Sequence, residues 1–130
     1  MAEIKGHLTL IGKDFDPSYV SSFTHTAPTW FKSKHDVQGN GKLFGHTEWG
    51  VETDTFHTEL LPEAATQLIS SINCSREKLL ELAQSLNAEG NILFSIDTDG
   101  AIDAFPAVYF TSDFLKFASD IGASIGLDVY

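Results

Sequence analysis

The sequence predicts an α+β fold: a two-layer sandwich with a mostly antiparallel sheet and helices on one face, ferredoxin-like in broad architecture. Three observations support this prediction. Apolar residues recur with period two in some segments and with helical spacing in others. These segments follow one another in the order βαβ, αα, ββ and αβ, which separates helices from strands. At 130 residues and 42% hydrophobic content, the chain fits one domain over residues 1–130 with a single buried core.

The first quarter of the chain predicts a strand followed by a helix. Ile4 to Ile11 alternates well enough for a strand, with Ile4, Leu8 and Leu10 on one side. Asp16 is a favoured N-cap and Pro17 a favoured first helical residue. A helix should therefore run from Pro17 to about His25 and bury three side chains: Tyr19, Val20 and Phe23.

The middle of the chain predicts a strand and two helices. Leu43 to Glu52 alternates, which places Trp49 in the core and His46, Glu48 and Glu52 on the opposite face. Helices should follow near Pro62 to Ile72 and Ser75 to Leu86, where leucines and alanine recur at the spacing of a buried stripe.

The last third predicts a hairpin, a helix and a strand. Asn91 to Asp97 and Ala101 to Phe105 flank an Asp-Gly step, the strongest short hairpin signal. A helix should run from Ser112 to Ile121, with Thr111 or Ser112 as its cap, before a strand from Ser124 to Tyr130. Six residues should share the core: Trp49, Leu79, Leu82, Phe94, Phe114 and Phe117.

Charge is distributed unevenly. Leu43 to Tyr130 carries fourteen carboxylates against three basic side chains, whereas Met1 to Lys42 holds four acids and five lysines. A net charge of −10 repels nucleic acid phosphates and steers basic partners toward the acidic region. We therefore expect a basic protein, and no nucleic acid, as the partner. The expected contributors are Glu48, Glu52, Asp54, Asp97, Asp99 and Asp103.

The number of cysteines and the N-terminal sequence bear on where in the cell the protein is expected. Cys74 is the only cysteine, so no intramolecular disulfide forms. The opening sequence has neither the long apolar run of a signal peptide nor a membrane span. We expect a cytoplasmic protein with no membrane partner, and the sequence leaves the oligomeric state open.

The sequence contains no familiar pattern of metal-binding or catalytic residues. His46 and Glu48 share a strand face, but no third metal ligand is specified. The Asp97-Thr98-Asp99-Gly100 spacing does not match an EF-hand, whose glycine comes sixth. Cys74 lacks the setting of a nucleophile and is better explained as an inert thiol. We expect no catalytic set, no metal and no cofactor.

Trp30 and Phe31 lie in the segment from Thr26 to Lys42, which has no periodicity and predicts a long exposed loop. Two adjacent aromatics there either fold back onto the core, which is favoured, or remain exposed. If exposed, Trp30 would be a good anchor for a protein interface. Trp30 is therefore a candidate binding residue.

Several short motifs occur in a recognisable order. They are Gly12-Lys13-Asp14-Phe15-Asp16-Pro17 after the opening strand, Ala27-Pro28-Thr29, Trp49, Phe110-Thr111-Ser112-Asp113-Phe114-Leu115, Ile121-Gly122-Ala123 and the final Asp128-Val129-Tyr130. Together they resemble the bacterial family called domain of unknown function 4279 over essentially the whole chain. The resemblance implies a small cytoplasmic bacterial protein and brings no catalytic residues.

Two classes of function fit these observations. The first is a non-enzymatic binding protein, most concretely an immunity protein that masks a basic nuclease-type toxin in contact-dependent or related toxin systems. The second is a small-molecule-binding or enzymatic domain that uses the sheet face near His46, Glu48 and Trp30. A pocket with converging polar groups would favour the second, and a convex acidic surface would favour the first.

Overall fold

An open sheet with helices on one face forms the protein. The computed structural model describes residues 2–34, 36–42, 45–58, 60–72, 74–100 and 106–130. In chain order their elements are β1 (Ala2–Gly12), α1 (Pro17–Thr24), β2 (Trp30–Lys32), β3 (Thr47–Glu52), β4 (Phe56–Thr58), α2 (Leu61–Ser70), α3 (Arg76–Ser85), β5 (Glu89–Asp97), α4 (Ser112–Asp120) and β6 (Ala123–Val129). The predicted α+β class with a mostly antiparallel sheet is confirmed.

The strand order is β2-β3-β1-β5-β6, and the short β4 pairs with the beginning of β1. Every pair is antiparallel except β5 and β6, which run parallel through the α4 crossover. A ferredoxin-like domain has the simpler order βαββαβ. The likeness to it therefore holds for the layering of helices on a mostly antiparallel sheet and does not extend to the order of elements along the chain.

Strand β1 lies at the centre of the sheet because β3 and β5 flank it. Its side chains alternate between a buried set that includes Ile4, Leu8 and Leu10 and a partly exposed set that includes Lys5 and His7. This is the period-two pattern expected of a sheet with one face on the core. We call the helix-packed side the covered face and the other side the open face.

The helix ends agree with the local signals. Asp16 caps α1 by accepting a hydrogen bond from the Ser18 amide at 2.9 Å, and α1 ends at His25 in the left-handed conformation, φ 50°. Ser75 and Thr111 cap α3 and α4 through their hydroxyls.

No helix in the described part of the chain has both the length and the apolar content to cross a membrane.

The core lies between the covered face and the helices. All six residues predicted to share it are buried there; four of them come from helices α3 and α4, and Trp49 and Phe94 come from strands β3 and β5. Trp49 is fully buried, and its indole N–H donates a hydrogen bond to the Ser21 hydroxyl at 3.0 Å. Tyr19 is the exception among the expected core residues of α1, since it is 49% exposed.

Three predictions about local structure need correction. The loop predicted from Thr26 to Lys42 contains β2, which pairs with β3, and β4 was not expected. The first strand of the predicted hairpin, Asn91 to Asp97, is confirmed as part of β5, but the hairpin pairing is wrong because β1 and β6 occupy the two edges of β5. Its second strand, Ala101 to Phe105, lies outside the described residues.

Candidate functional site

The open face brings polar side chains from four neighbouring strands together. Strand β1 contributes Lys5 and His7, β3 contributes Glu52, and β5 contributes Ser95, while the indole of Trp30 comes from β2. The antiparallel register places His7 directly beside Glu52 and Lys5 directly beside Ser95. These five side chains form what we call the central cluster.

Glu52 connects two cationic or potentially cationic groups in the central cluster. Its Oε1 lies 3.4 Å from the Lys5 Nζ, and its Oε2 lies 3.2 Å from the His7 Nδ1. The Glu52 side chain is 29% exposed. At this partial exposure the Lys5 pair contributes little to stability, so its effect is chiefly to fix the orientation of the carboxylate.

His7 contacts a second strand on its other side. Its Nε2 lies 3.3 Å from the Ser95 hydroxyl, and its ring meets the Trp30 ring edge-on at a centroid distance of 6.1 Å. Burial lowers the pKa of His7 from its ordinary value of 6.5, Glu52 opposes that shift, and Lys5 adds to it. The imidazole is therefore mostly neutral at pH 7.

Trp30 lies flat across β3 because Gly50 has no side chain. Gly50 is the cross-strand partner of Trp30, and a Cβ at that position would clash with the indole ring. The indole covers this glycine, in the way that an aromatic residue often covers a glycine in a neighbouring strand. It also forms one wall around the His7 ring.

A cleft of about 160 Å³ opens beside the central cluster. Six residues line it: Glu3, Lys5, Thr55, Ser95, Asp97 and Tyr130. The cleft thus holds an ammonium group, a hydroxyl and a phenol within one small volume. Polar groups that converge in this way are typical of sites for small molecules.

Carboxylates gather at one end of the open face, next to the cleft. Glu3 and Asp97 are direct cross-strand partners, Asp128 is the partner of Ser95, and Asp99 follows Asp97 in the turn after β5. All of them are exposed, as is Asp54 in the connection between β3 and β4. We call Glu3, Asp54, Asp97, Asp99 and Asp128 the acidic corner.

Comparison with known proteins identifies the family. A family model described as "Domain of unknown function (DUF4279)" matches residues 2–130. The chain belongs to this family. No curated protein and no solved structure matches it. Since the family description names no activity, the function of this DUF4279 protein must be argued from its own side chains.

The acids predicted as binding residues fall into two groups in this DUF4279 protein. Asp54, Asp97 and Asp99 lie in the acidic corner and are exposed. Glu48 and Glu52 lie on the open face as expected, but both are partly buried and paired with cations. Asp103 lies outside the described residues.

Glu48 is contacted by two side chains, His46 and Lys32. Its Oε2 lies 3.4 Å from the His46 Nε2 and 3.8 Å from the Lys32 Nζ, so two donors converge on one carboxylate. Among the described residues, no three histidine, cysteine or acidic side chains group closely enough to hold a metal ion.

Burial raises the pKa of the Cys74 thiol, which makes its reactive thiolate scarcer at neutral pH.

The position of the Trp30 side chain matches neither of the two alternatives predicted for it. It neither enters the core nor stands alone in a loop, because it packs on Gly50 and His7 at the open face. Phe31, next to it, is 60% exposed.

Sequence reasoning missed Lys5, His7 and Ser95 as site residues. Each occupies an outward position on a predicted strand, which was visible in the alternation. What brings them together is the register of β1 with β3 and β5. No local signal specifies that register, since it depends on pairing between distant segments.

Proposed function

We propose that this DUF4279 protein is a small cytoplasmic binding protein that neutralises a basic bacterial toxin domain, in the manner of an immunity protein. The acidic corner carries this proposal. Five exposed carboxylates face solvent there; Lys5, which lines the cleft beside them, is paired with Glu52, and the His57 ring lies 4.0 Å from Glu3. A surface of this kind attracts a basic partner over distances of about one Debye length, roughly 8 Å at physiological salt.

The proposal places less weight on Glu48 and Glu52 than the sequence did. Each already has two side-chain partners within the protein, and a partner protein would have to compete with them. Asp97, Asp99 and Asp128 have no lysine or arginine ion pair among the described residues. Their charge remains directed outward, where it can steer association.

A matched pair of charge-reversal variants tests the proposal. One variant carries Asp97→Lys and Asp128→Lys in the acidic corner, and the other carries Glu77→Lys and Glu81→Lys on the exposed side of α3. Both change the net charge by the same amount, so they differ only in where the charge lies. Neither pair touches the core, so both variants should fold.

The measurement is capture of partners from the source cell, followed by association kinetics with the purified partner at low and moderate salt. The partner should be basic, and the wild-type protein should inhibit its toxic activity. The acidic-corner variant should associate about 10-fold or more slowly at low salt, whereas the α3 variant stays near wild type. Equal rates for the two variants, or salt-insensitive association, would contradict the proposal.

A further inference from the structure

Three side chains of the central cluster stand in the order nucleophile, base and carboxylate. The Ser95 Oγ lies 3.3 Å from the His7 Nε2, and the His7 Nδ1 lies 3.2 Å from the Glu52 Oε2. Each comes from a different strand, so the sheet itself holds them in place. Serine, histidine and an acid in contact in this order form the arrangement that activates a hydroxyl in unrelated folds.

The carboxylate determines which nitrogen of His7 carries the proton. An ionised carboxylate only accepts hydrogen bonds, so Glu52 selects the tautomer with the proton on Nδ1. The Nε2 is then free to accept the hydroxyl hydrogen of Ser95. Because burial also lowers the pKa of His7, the ring is mostly neutral at pH 7 and can act as a base.

Lys5 supplies the positive charge that such a site needs. It is the direct cross-strand partner of Ser95 and lines the same cleft. Its ammonium has three N–H donors, and its Nζ lies 3.4 Å from one Glu52 oxygen, a contact that takes only one of them. A donor remains to contact an oxyanion that develops on a substrate bound at Ser95.

We propose that Ser95 is the nucleophile of an esterase site, with His7 as general base, Glu52 as a positioning residue and Lys5 as the oxyanion donor. The Ser95 oxygen bonds to the acyl carbon of an ester while its proton passes to the His7 Nε2. The alcohol leaves with that proton as its bond to the acyl carbon breaks. A water molecule then attacks the acyl carbon and gives a proton to the His7 Nε2. His7 passes that proton to the Ser95 oxygen as its bond to the acyl carbon breaks, which releases the carboxylic acid and restores the free serine.

The cleft restricts the class of substrate. Its volume of about 160 Å³ accommodates a short acyl group rather than a fatty chain. Glu3 and Asp97, which also line the cleft, disfavour an anionic leaving group and favour a neutral or cationic alcohol. Short-chain esters of such alcohols are therefore the substrate class that this site fits.

The test uses a fluorophosphonate, which forms a bond to an activated serine and loses fluoride, together with hydrolysis of 4-nitrophenyl acetate. Intact mass and peptide mapping should locate a single adduct on Ser95. Ser95→Ala should abolish the adduct. Ser124→Ala should leave it unchanged, because Ser124 lies on the same face and bonds to Asn91, away from the imidazole.

Variants of the other two residues separate catalysis from structure. His7→Gln should slow labelling and hydrolysis about 100-fold or more. Glu52→Gln should move the pH inflection of hydrolysis to lower pH, since Glu52 raises the pKa of His7 against the effects of burial and of Lys5. A purely structural role for Glu52 would leave the inflection where it is.

Thermal melts of every variant establish that each is folded before its rate is interpreted. A folded wild-type protein without an adduct on Ser95 overturns the esterase proposal, as does labelling that survives His7→Gln. The proposal does not rest on the binding function. Substitutions at Ser95 and His7 leave the acidic corner intact, so failure of one proposal is distinguishable from failure of the other.

Discussion

The covered and open faces of the sheet are made by the same strands, yet their side chains are held by different forces. On β5, Phe94 faces the helices and packs among other phenylalanines, whereas Ser95, one residue later, lies on the open face and contacts His7. On the covered face, close packing and burial of apolar surface stabilise the fold. On the open face, polar pairs at partial exposure contribute little free energy but fix orientation. Stability should therefore depend on the first face and function on the second.

The two tryptophans provide the sharpest test of this difference. Trp49→Ala removes a fully buried side chain and the indole donor to Ser21, so the free energy of unfolding should fall by about 3–5 kcal/mol. Trp30→Ala on the open face is the matched control and should cost markedly less. Denaturant unfolding of both variants gives the comparison, and equal losses would show that the faces do not differ in this respect.

Gly50 offers a test of the packing on the open face. Gly50→Ala places a methyl group against the Trp30 ring and should destabilise the protein by about 1–3 kcal/mol, although alanine is usually preferred to glycine in a strand. In a Trp30→Ala background the same change should be neutral or stabilising. A double-mutant cycle measures the coupling. Additive effects would mean that the indole does not rest on β3.

His7 should give the smallest effect, seen only as a pH dependence. Its pKa is lowered in the folded state by burial, with Glu52 opposing and Lys5 reinforcing the shift, so the unfolded state binds a proton more readily. As pH falls below 6.5, the wild type should lose stability relative to His7→Gln, and above that pH the difference should be constant.

Thermal unfolding across this pH range measures the His7 effect. His57→Gln, which removes an exposed imidazole, controls for the loss of a histidine as such. Parallel curves for the wild type and His7→Gln would contradict a lowered pKa for this residue.

Local signals predicted what local interactions determine. The Asp16-Pro17 start of α1, the apolar stripe of α3 and the alternation of β1 all depend on nearby residues, and all three are confirmed. Strand β2 has only three residues and exists because it pairs with β3, so no periodicity could reveal it. The Asp99-Gly100 turn indicated a hairpin, but the edges of β5 are filled by distant segments.

The candidate site shows the same difference between features set by nearby residues and features set by pairing of distant strands. The outward positions of His7, Glu52 and Ser95 could be predicted from alternation along each strand, but their contacts could not. The contacts require β1 to lie between β3 and β5 in one particular register. A shift of one residue would turn each side chain to the opposite face.

The central position of β1 has a consequence for how the chain folds. This strand comes first in the sequence, yet its partner β5 lies in the last third of the chain, where Asp97 pairs with Glu3 and Glu89 pairs with Ile11. During synthesis β1 therefore cannot pair with β5 until most of the chain has been made. Pairing between segments so far apart in the sequence is slow to form. Until then the unpaired edge and the exposed Ile4 and Leu8 offer a surface for misassociation. Helix α1 and strands β2 and β3, which emerge earlier, can shield that surface before β5 is made.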